Sequence, residues 1–373
     1  MCEANPLQQI LQRFLKTDSL DAHRRRICQQ LLACRTDALG GHTWQCDRCG
    51  KEIVHYHSCR NRHCPQCQGR ATQQWVDRQQ SNTLPVSYFH LVFTLPDTLN
   101  GWIALHPETI YRLLFIAVWQ TLKQFGEDPK RLNGQLGMTA VLHTWGQNLS
   151  RHVHLHCLVP GGALTTQGKW HASKSNYLFP VKALSRHFRG KMVSLLRGAY
   201  QQGELSRIAR ASEVTRLLSQ LMEKEWVVYS KATLNHTECV ISYLARYTHR
   251  IAISNHRILA IDDQQVTLRY KAYAEHGKQR QLTLTGEEFV RRYLMHIVAK
   301  GFMRIRHYGY LANCCRQKRL AQIRRSLEAP PLEKASEKQE CPPVRCPVCH
   351  TGHLVWIAEL LPRQVERMRM KRR

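Results

Sequence analysis

The chain has 373 residues, enough to bury at least one large core and to divide into two or three domains. Its 55 Lys and Arg against 27 Asp and Glu leave a net charge of +28, which predicts a polyanionic partner, nucleic acid ahead of an acidic membrane. The longest apolar run, residues 111–119, is too short to cross a bilayer, and the opening MCEANPLQQ lacks the charged and apolar regions of a signal peptide, so a soluble, intracellular protein with no membrane partner is expected.

Residues 7–39 carry two helical patterns, the second with Ile27, Leu31 and Leu32 on one face and Gly40-Gly41 as its stop. Of 15 cysteines, ten fall in two groups, Cys46 to Cys67 and Cys314 to Cys349, and in a reducing compartment Cys-x-x-Cys spacing points to zinc rather than disulfides. Cys46-x-x-Cys49 and Cys64-x-x-Cys67 predict a ribbon or finger in which four thiolates surround one ion. Cys59 and His63 lie in the same loop, so a different ligand set or a second ion stays open. Cys2, Cys28, Cys34, Cys157 and Cys239 read as small apolar fillers. Arg60, Asn61, Arg62 and Arg70 give this module a basic face for phosphates.

A helix over residues 69–81 leads to a strand over 86–95, a helix over 107–126 and a strand over 136–145. In the next strand His152, His154 and His156 alternate with apolar residues before the Pro160-Gly161-Gly162 turn, so their imidazoles share one face. Two neutral imidazoles at that spacing can hold a divalent cation from one side and leave the other open to substrate. A histidine-rich exposed strand is the plain alternative. Helices over 181–198 and 212–225 and a strand over 226–229 complete a β-α-β-β-α-β order, that of an antiparallel ferredoxin-like sheet with helices on one face. The histidine strand is central in that arrangement.

Tyr243 and Tyr247 stand four apart in a helical stretch, with Arg246, His249, Arg250, His256 and Arg257 around them. Tyrosines at this spacing are most often packing residues, but nearby cations favour phenolate and bind phosphate oxygens. Strands over 251–261, 266–272 and 280–285 follow, then a capping box at 285–288 on a helix through 299. From Arg304 to Arg325 there are seven Lys or Arg and no acidic residue, interleaved with Tyr308 and Tyr310, which suits a groove for backbone and stacked bases to which Arg304 and Arg306 contribute. A linker over 329–345 precedes Cys346-x-x-Cys349, a second half-site whose partners are sought in Cys314-Cys315 or in Cys341 with His353, and the last residues form a basic tail. No Gly-rich phosphate loop is present, which argues against nucleotide hydrolysis.

SCRNRHCPQCQ, HVHLHCLVPGG, YLARYTHRIAISNHRI and RIRHYGYLAN together resemble stretches of the two-tyrosine HUH transposases of the insertion-sequence-ninety-one type, over nearly the whole chain. The resemblance implies a helical zinc-binding domain over 1–82, an HUH/Tyr catalytic domain over 83–328 with an α+β, ferredoxin-like palm, and a small zinc knuckle and tail over 346–373. It implies His154 and His156 as the pair holding Mg²⁺ or Mn²⁺, with His152, His143, Glu238 and others all open as a third ligand, Tyr243 and Tyr247 as nucleophiles, and structural Zn²⁺ on the cysteines. It further implies single-stranded DNA at transposon ends and target DNA as partners, no small-molecule substrate, rolling-circle transposition, and a bacterial, cytoplasmic, nucleoid-associated protein. A zinc-dependent DNA-binding protein whose histidines and tyrosines are structural is the alternative, and a hydrolytic nuclease using water on the same metal is another.

Overall fold

Asn5 starts the first helix: its side chain accepts from Gln8 N–H while the Gln8 side chain returns to Asn5 N–H, and Pro6 fills the first position, where no N–H is needed. The computed structural model describes residues 5–18, 20–80, 82–174, 176–233, 252–272, 275–330 and 343–362. Helix α1 (Pro6–Phe14) is joined to α2 (Ala22–Leu32) by the buried Gln8 amide, which donates to the carbonyls of Leu31 at 3.0 Å and Cys34 at 2.7 Å. A hairpin of β1 (Gly41–Cys46) and β2 (Glu52–Tyr56) and the helix α3 (Gln68–Gln80) follow.

The chain then builds β3 (Tyr88–Thr94), α4 (Asn100–Leu105), α5 (Pro107–Glu127), β4 (Gly137–Trp145), β5 (Arg151–Pro160), a small hairpin of β6 (Gly162–Leu164) and β7 (Trp170–Ala172), α6 (Val181–Gln201), α7 (Ala211–Glu223) and β8 (Val228–Thr233). Beyond residue 251 come β9 (Ile258–Ile261), β10 (Gln265–Ala272), β11 (Lys278–Thr285), α8 (Gly286–Leu294), β12 (Ile305–Gly309), α9 (Arg316–Ser326) and β13 (Leu354–Leu360). The fold is mixed α+β with antiparallel sheets.

The main sheet has five strands in the order β12-β4-β5-β3-β8, which puts the histidine strand in the middle. Strand alternation divides its residues cleanly. Phe89, Leu91 and Phe93 of β3, Met138, Ala140 and Leu142 of β4, and Val153, Leu155, Cys157 and Val159 of β5 join residues of α5, α6 and α7 in one buried core. Truncating a ring such as Phe93, fully buried between sheet and helices, costs about 3–5 kcal/mol by the usual cavity argument. The intervening residues, His90, Val92, Thr139, Val141, His143, His154, His156 and Leu158, occupy the face turned away from those helices.

A second core joins the N-terminal helices to the later chain: Leu7, Ile10, Leu11, Leu31, Cys34 and Cys64 pack with Leu149, Ala252, Ile253, Val266, Leu268, Phe289 and Tyr293. The Tyr293 hydroxyl donates to the His63 carbonyl at 2.7 Å, fixing α8 to the cysteine loop. Thr285 caps α8 by accepting from Glu288 N–H at 3.3 Å, but the Glu288 carboxylate is taken by Arg291 and Arg292, so the reciprocal half of the expected capping box does not form. The helix stops at Leu294 rather than running to 299, because His296 is drawn into the fold by Thr144 at 3.1 Å and by the Leu149 carbonyl at 3.1 Å.

The three-stranded sheet at the N-terminal hairpin corrects the expectation of a separate C-terminal knuckle. β13 pairs along β1, in the order β13-β1-β2, so the chain beyond the linker closes back onto its N-terminal hairpin.

Candidate functional site

Among the described residues two groups of four cysteines form, and their membership differs from the sequence expectation. Cys34, Cys59, Cys64 and Cys67 make one, and Cys46, Cys49, Cys346 and Cys349 the other. The expected set of Cys46, Cys49, Cys64 and Cys67 around one ion is therefore corrected: the first knuckle pairs with the C-terminal one, and Cys34 is a ligand-type cysteine rather than an apolar filler. The physical reason is the β1–β13 ladder, which sets Cys46 opposite Leu354 and brings the two tight turns together. Neither Cys314 nor Cys315 belongs to either group.

In the first group Cys34 Sγ lies 3.5 Å from Cys67 Sγ and 3.7 Å from Cys64 Sγ, and Cys59 Sγ lies 3.6 Å from Cys67 Sγ. In the second, Cys46–Cys349 and Cys49–Cys346 are 3.6 and 3.8 Å apart. Four sulfurs at the corners of a zinc tetrahedron stand about 3.8 Å apart, so both groups have the donors and spacing of structural zinc sites. Backbone N–H groups supply the surrounding hydrogen bonds: Arg48 and Cys49 donate to Cys46 Sγ, Val348 to Cys346 Sγ, and Gly352 to Cys349 Sγ. The Gly352 amide, first among the causes, draws Cys349 down to about 5, toward the thiolate a metal requires. Each knuckle of the second group ends on a left-handed residue, Gly50 at φ 68° and His350 at φ 58°.

The third cluster is on the main sheet. His143 of β4 faces His154 of β5 in register, and His156 is the next residue on that face. One ring nitrogen from each of the three lies within 4.8 Å of the others, close enough for a single cation to draw together. Ring centroids of His143 are 5.2 Å from His154 and 4.4 Å from His156. Trp145 stacks on His143 at 4.5 Å and fixes that ring. His154 Nδ1 is 3.0 Å from the His152 carbonyl, which can only accept, so Nδ1 carries the proton and Nε2 the lone pair. His156 Nδ1 shares a 2.9 Å hydrogen bond with His90 Nε2 on β3.

Burial, and then the neighbouring His152 ring, lower His154 to about 4; burial followed by His143 holds His156 well below the ordinary histidine value. Both are neutral at physiological pH, the form that binds metal. His152, expected on the same face, stands apart from the cluster. The β4 register breaks between His143 and Trp145, so no β4 residue faces His152, and its Nδ1 is 4.0 Å from Asp97 Oδ1 on the half-exposed edge.

Glu238, Tyr243, Tyr247, Arg246 and Arg250 lie in 234–251, outside the described residues. That segment starts where β8 ends, beside β3, and resumes at Ala252 and Ile253, which are buried in the core that includes Leu149 just ahead of β5. Of the other expected DNA-contacting residues, Arg60 and Arg62 are exposed, and Arg62 also donates to the carbonyls of Phe302 and Ala299. Arg257 is a structural tether, donating to the carbonyls of Arg269 and Gln147. Arg304 is a correction: it is 8% exposed and packs over Trp145, where burial lowers it to about 9. The Arg306 guanidinium lies 4.2 Å from the Phe115 ring centre and is half-buried.

Cys34, read in the sequence as a filler, is the site-type residue that spacing did not single out, whereas His143 stood among the open choices for a third ligand. Cysteine arithmetic had the signal for Cys34: with it, the cysteines at 46, 49, 59, 64, 67, 346 and 349 make two complete sets of four.

Residues 6–95 match a family described as "Transposase zinc-binding domain", which takes in six of the eight clustered cysteines. Residues 137–318 match a family described as "Putative transposase", spanning the three clustered histidines. The chain is 40% identical over 358 residues to "Putative transposase y4qJ" of Sinorhizobium fredii (strain NBRC 101917 / NGR234), covering 91% of this chain and 90% of that one. It is 32% identical over 300 residues to "Transposase for insertion sequence element IS801" of Pseudomonas savastanoi pv. phaseolicola, covering 76% of this chain and 69% of that protein.

Proposed function

The chain belongs to the IS91 family of transposases, and we propose that it nicks and rejoins single-stranded DNA through a 5′-phosphotyrosine in rolling-circle transposition, on an HUH palm built from β3, β4, β5 and β8. The observation that carries the proposal is the cluster of His143, His154 and His156 on the central strands, on the sheet face opposite the packing helices. Ligands on central strands are held rigidly, as a catalytic ion requires.

His154 and His156 are the proposed metal pair, with His143 rather than His152 as the third ligand. Three imidazoles suit Mn²⁺ better than Mg²⁺, which prefers oxygen donors. Such an ion, when bound, withdraws charge from the scissile phosphate. The His152 carbonyl and His90 keep the outward lone pairs of His154 and His156 available by fixing the other ring nitrogen of each. Tyr243 and Tyr247 are the proposed nucleophiles. One phenol loses its proton and its oxygen bonds to phosphorus, while the bond to the 3′ oxygen breaks and that oxygen leaves as a hydroxyl. The phosphodiester is conserved in the adduct, so the 3′-hydroxyl of another strand can reverse the step without ATP. A second tyrosine allows a second cut while the first adduct stands. The cysteine clusters hold structural zinc and fold the N-terminal domain together with the C-terminal strand.

The test uses purified protein, Mn²⁺ and labelled single-stranded oligonucleotides from the ends of the element that encodes it, run on a denaturing gel. The expected result is a covalent adduct that disappears in the Tyr243→Phe/Tyr247→Phe double variant and in His154→Ala. Cleavage without an adduct would establish a hydrolytic nuclease instead, and binding without cleavage a zinc-dependent DNA-binding protein.

A further inference from the structure

A cleft of about 890 Å³ opens along the edge strand β12, next to the strand β4 that carries His143, and is lined from both faces of the sheet. Its floor is the edge strand β12: Ile305 faces Val141 and His307 faces Thr139, and His307 Nδ1 is 3.0 Å from Thr139 Oγ1. Val141 in turn faces His156, so the floor is two strands away from that metal-type histidine and one from His143. Trp75 of α3 forms a wall and packs against the patch of Tyr88 and Leu158, the latter being the next residue after His156 on the same face of β5. Lys300 and Arg316 supply cations, Arg306 adds a third from the helix side of the sheet, Asn82 and Asn313 supply amides, and among the described residues lining it Glu108 is the only acidic one.

We propose that this cleft binds an unpaired stretch of nucleic acid running to or from the histidine cluster, with a base stacked on Trp75 and its phosphates on Arg316 and Lys300. An aromatic face beside cations and side-chain amides is what an unstacked base with its phosphates requires, whereas a duplex hides its base faces. Continuity supports it: Lys300 and Gly301 also border a second basic hollow lined by Arg26, Arg60 and Arg62, so cations continue from the cleft toward the first cysteine cluster. The inference rests on the DNA-processing reading above and names the path that the strand takes.

The test is fluorescence anisotropy of a labelled single-stranded oligonucleotide against the full chain with its zinc, without added Mn²⁺, so that binding is read apart from chemistry. Trp75→Ala is expected to weaken single-strand binding about tenfold, Trp75→Phe to restore most of it, and Arg316→Ala to reduce the slope of log K against log salt by about 0.7. Circular dichroism melts accompany each variant, and Arg316→Ala, on a helix surface, serves where Trp75→Ala disturbs packing. Unchanged affinity in both Trp75→Ala and Arg316→Ala would overturn the proposal, as would equal losses for single strand and duplex. If these losses appear but the adduct assay fails, the strand-transfer reading falls and the cleft assignment stands.

Discussion

Replacing Cys34 with serine removes one corner of a four-sulfur cluster whose members lie 3.5 to 3.7 Å apart. Structural zinc contributes on the order of 10–16 kcal/mol in small zinc-folded units, so an equal share for each ligand is roughly 3 kcal/mol. Cys34 is also 1% exposed and sits in the core that joins α1 and α2 to α8, so a weakened site loosens the contact between the N-terminal helices and the rest of the chain. The expected outcome is one zinc fewer per chain by elemental analysis after gel filtration, and a melting midpoint lower by about 5 °C or more. Cys28→Ala is the control. Cys28 is equally buried, but it belongs to neither cluster, and burial raises its thiol to about 11, so it stays protonated. Full zinc content in Cys34→Ser, or a lost equivalent in Cys28→Ala, would refute the assignment.

Three further outcomes are expected. His90→Phe keeps a ring in place but removes the partner of His156 Nδ1, and should weaken Mn²⁺ binding about 10- to 100-fold by calorimetry without changing zinc content; unaltered Mn²⁺ affinity would count against His90 as a positioning residue. His350→Gly relieves a left-handed backbone that Gly50 adopts freely in the matching knuckle, and should raise stability by about 1 kcal/mol in urea titration, whereas a loss would show that the His350 side chain contributes more than its strain costs. Stability without added Mn²⁺ should fall as pH drops from about 6.5 toward 4. Burial lowers His63 to about 3 and His90, His154, His296 and His307 each to about 4, so the unfolded chain takes up protons first. Each contributes on the order of 1 kcal/mol per pH unit in that window, and a flat urea midpoint across it would contradict their neutrality in the fold.

Much of the site was legible because a strand has a two-residue period. The alternation through His152, His154 and His156 fixed one face, and the β-α-β-β-α-β order placed that strand centrally, where the sheet has it. What alternation does not contain is the register of the neighbouring strand or where it breaks. His143 meets His154 only through the β4–β5 ladder, and the interruption after His143 is what excludes His152. Knuckle spacing likewise announces half-sites without announcing which halves meet; that choice between Cys64/Cys67 and Cys346/Cys349 is made by β13 pairing with β1, some 300 residues away in sequence. Arg304 misled because a basic run displays charge but not burial, and its packing over Trp145 depends on where β12 joins the sheet.

The central claim, that a tyrosine of this chain carries the cut strand, is tested most directly by digesting the protein after reaction with a single-stranded end oligonucleotide and Mn²⁺ and sequencing the modified peptide by mass spectrometry. A nucleotide mass is expected on the phenolic oxygen of Tyr243 or Tyr247, with a free 3′-hydroxyl on the released fragment. A cut product bearing an ordinary 5′-phosphate and no modified tyrosine would contradict it.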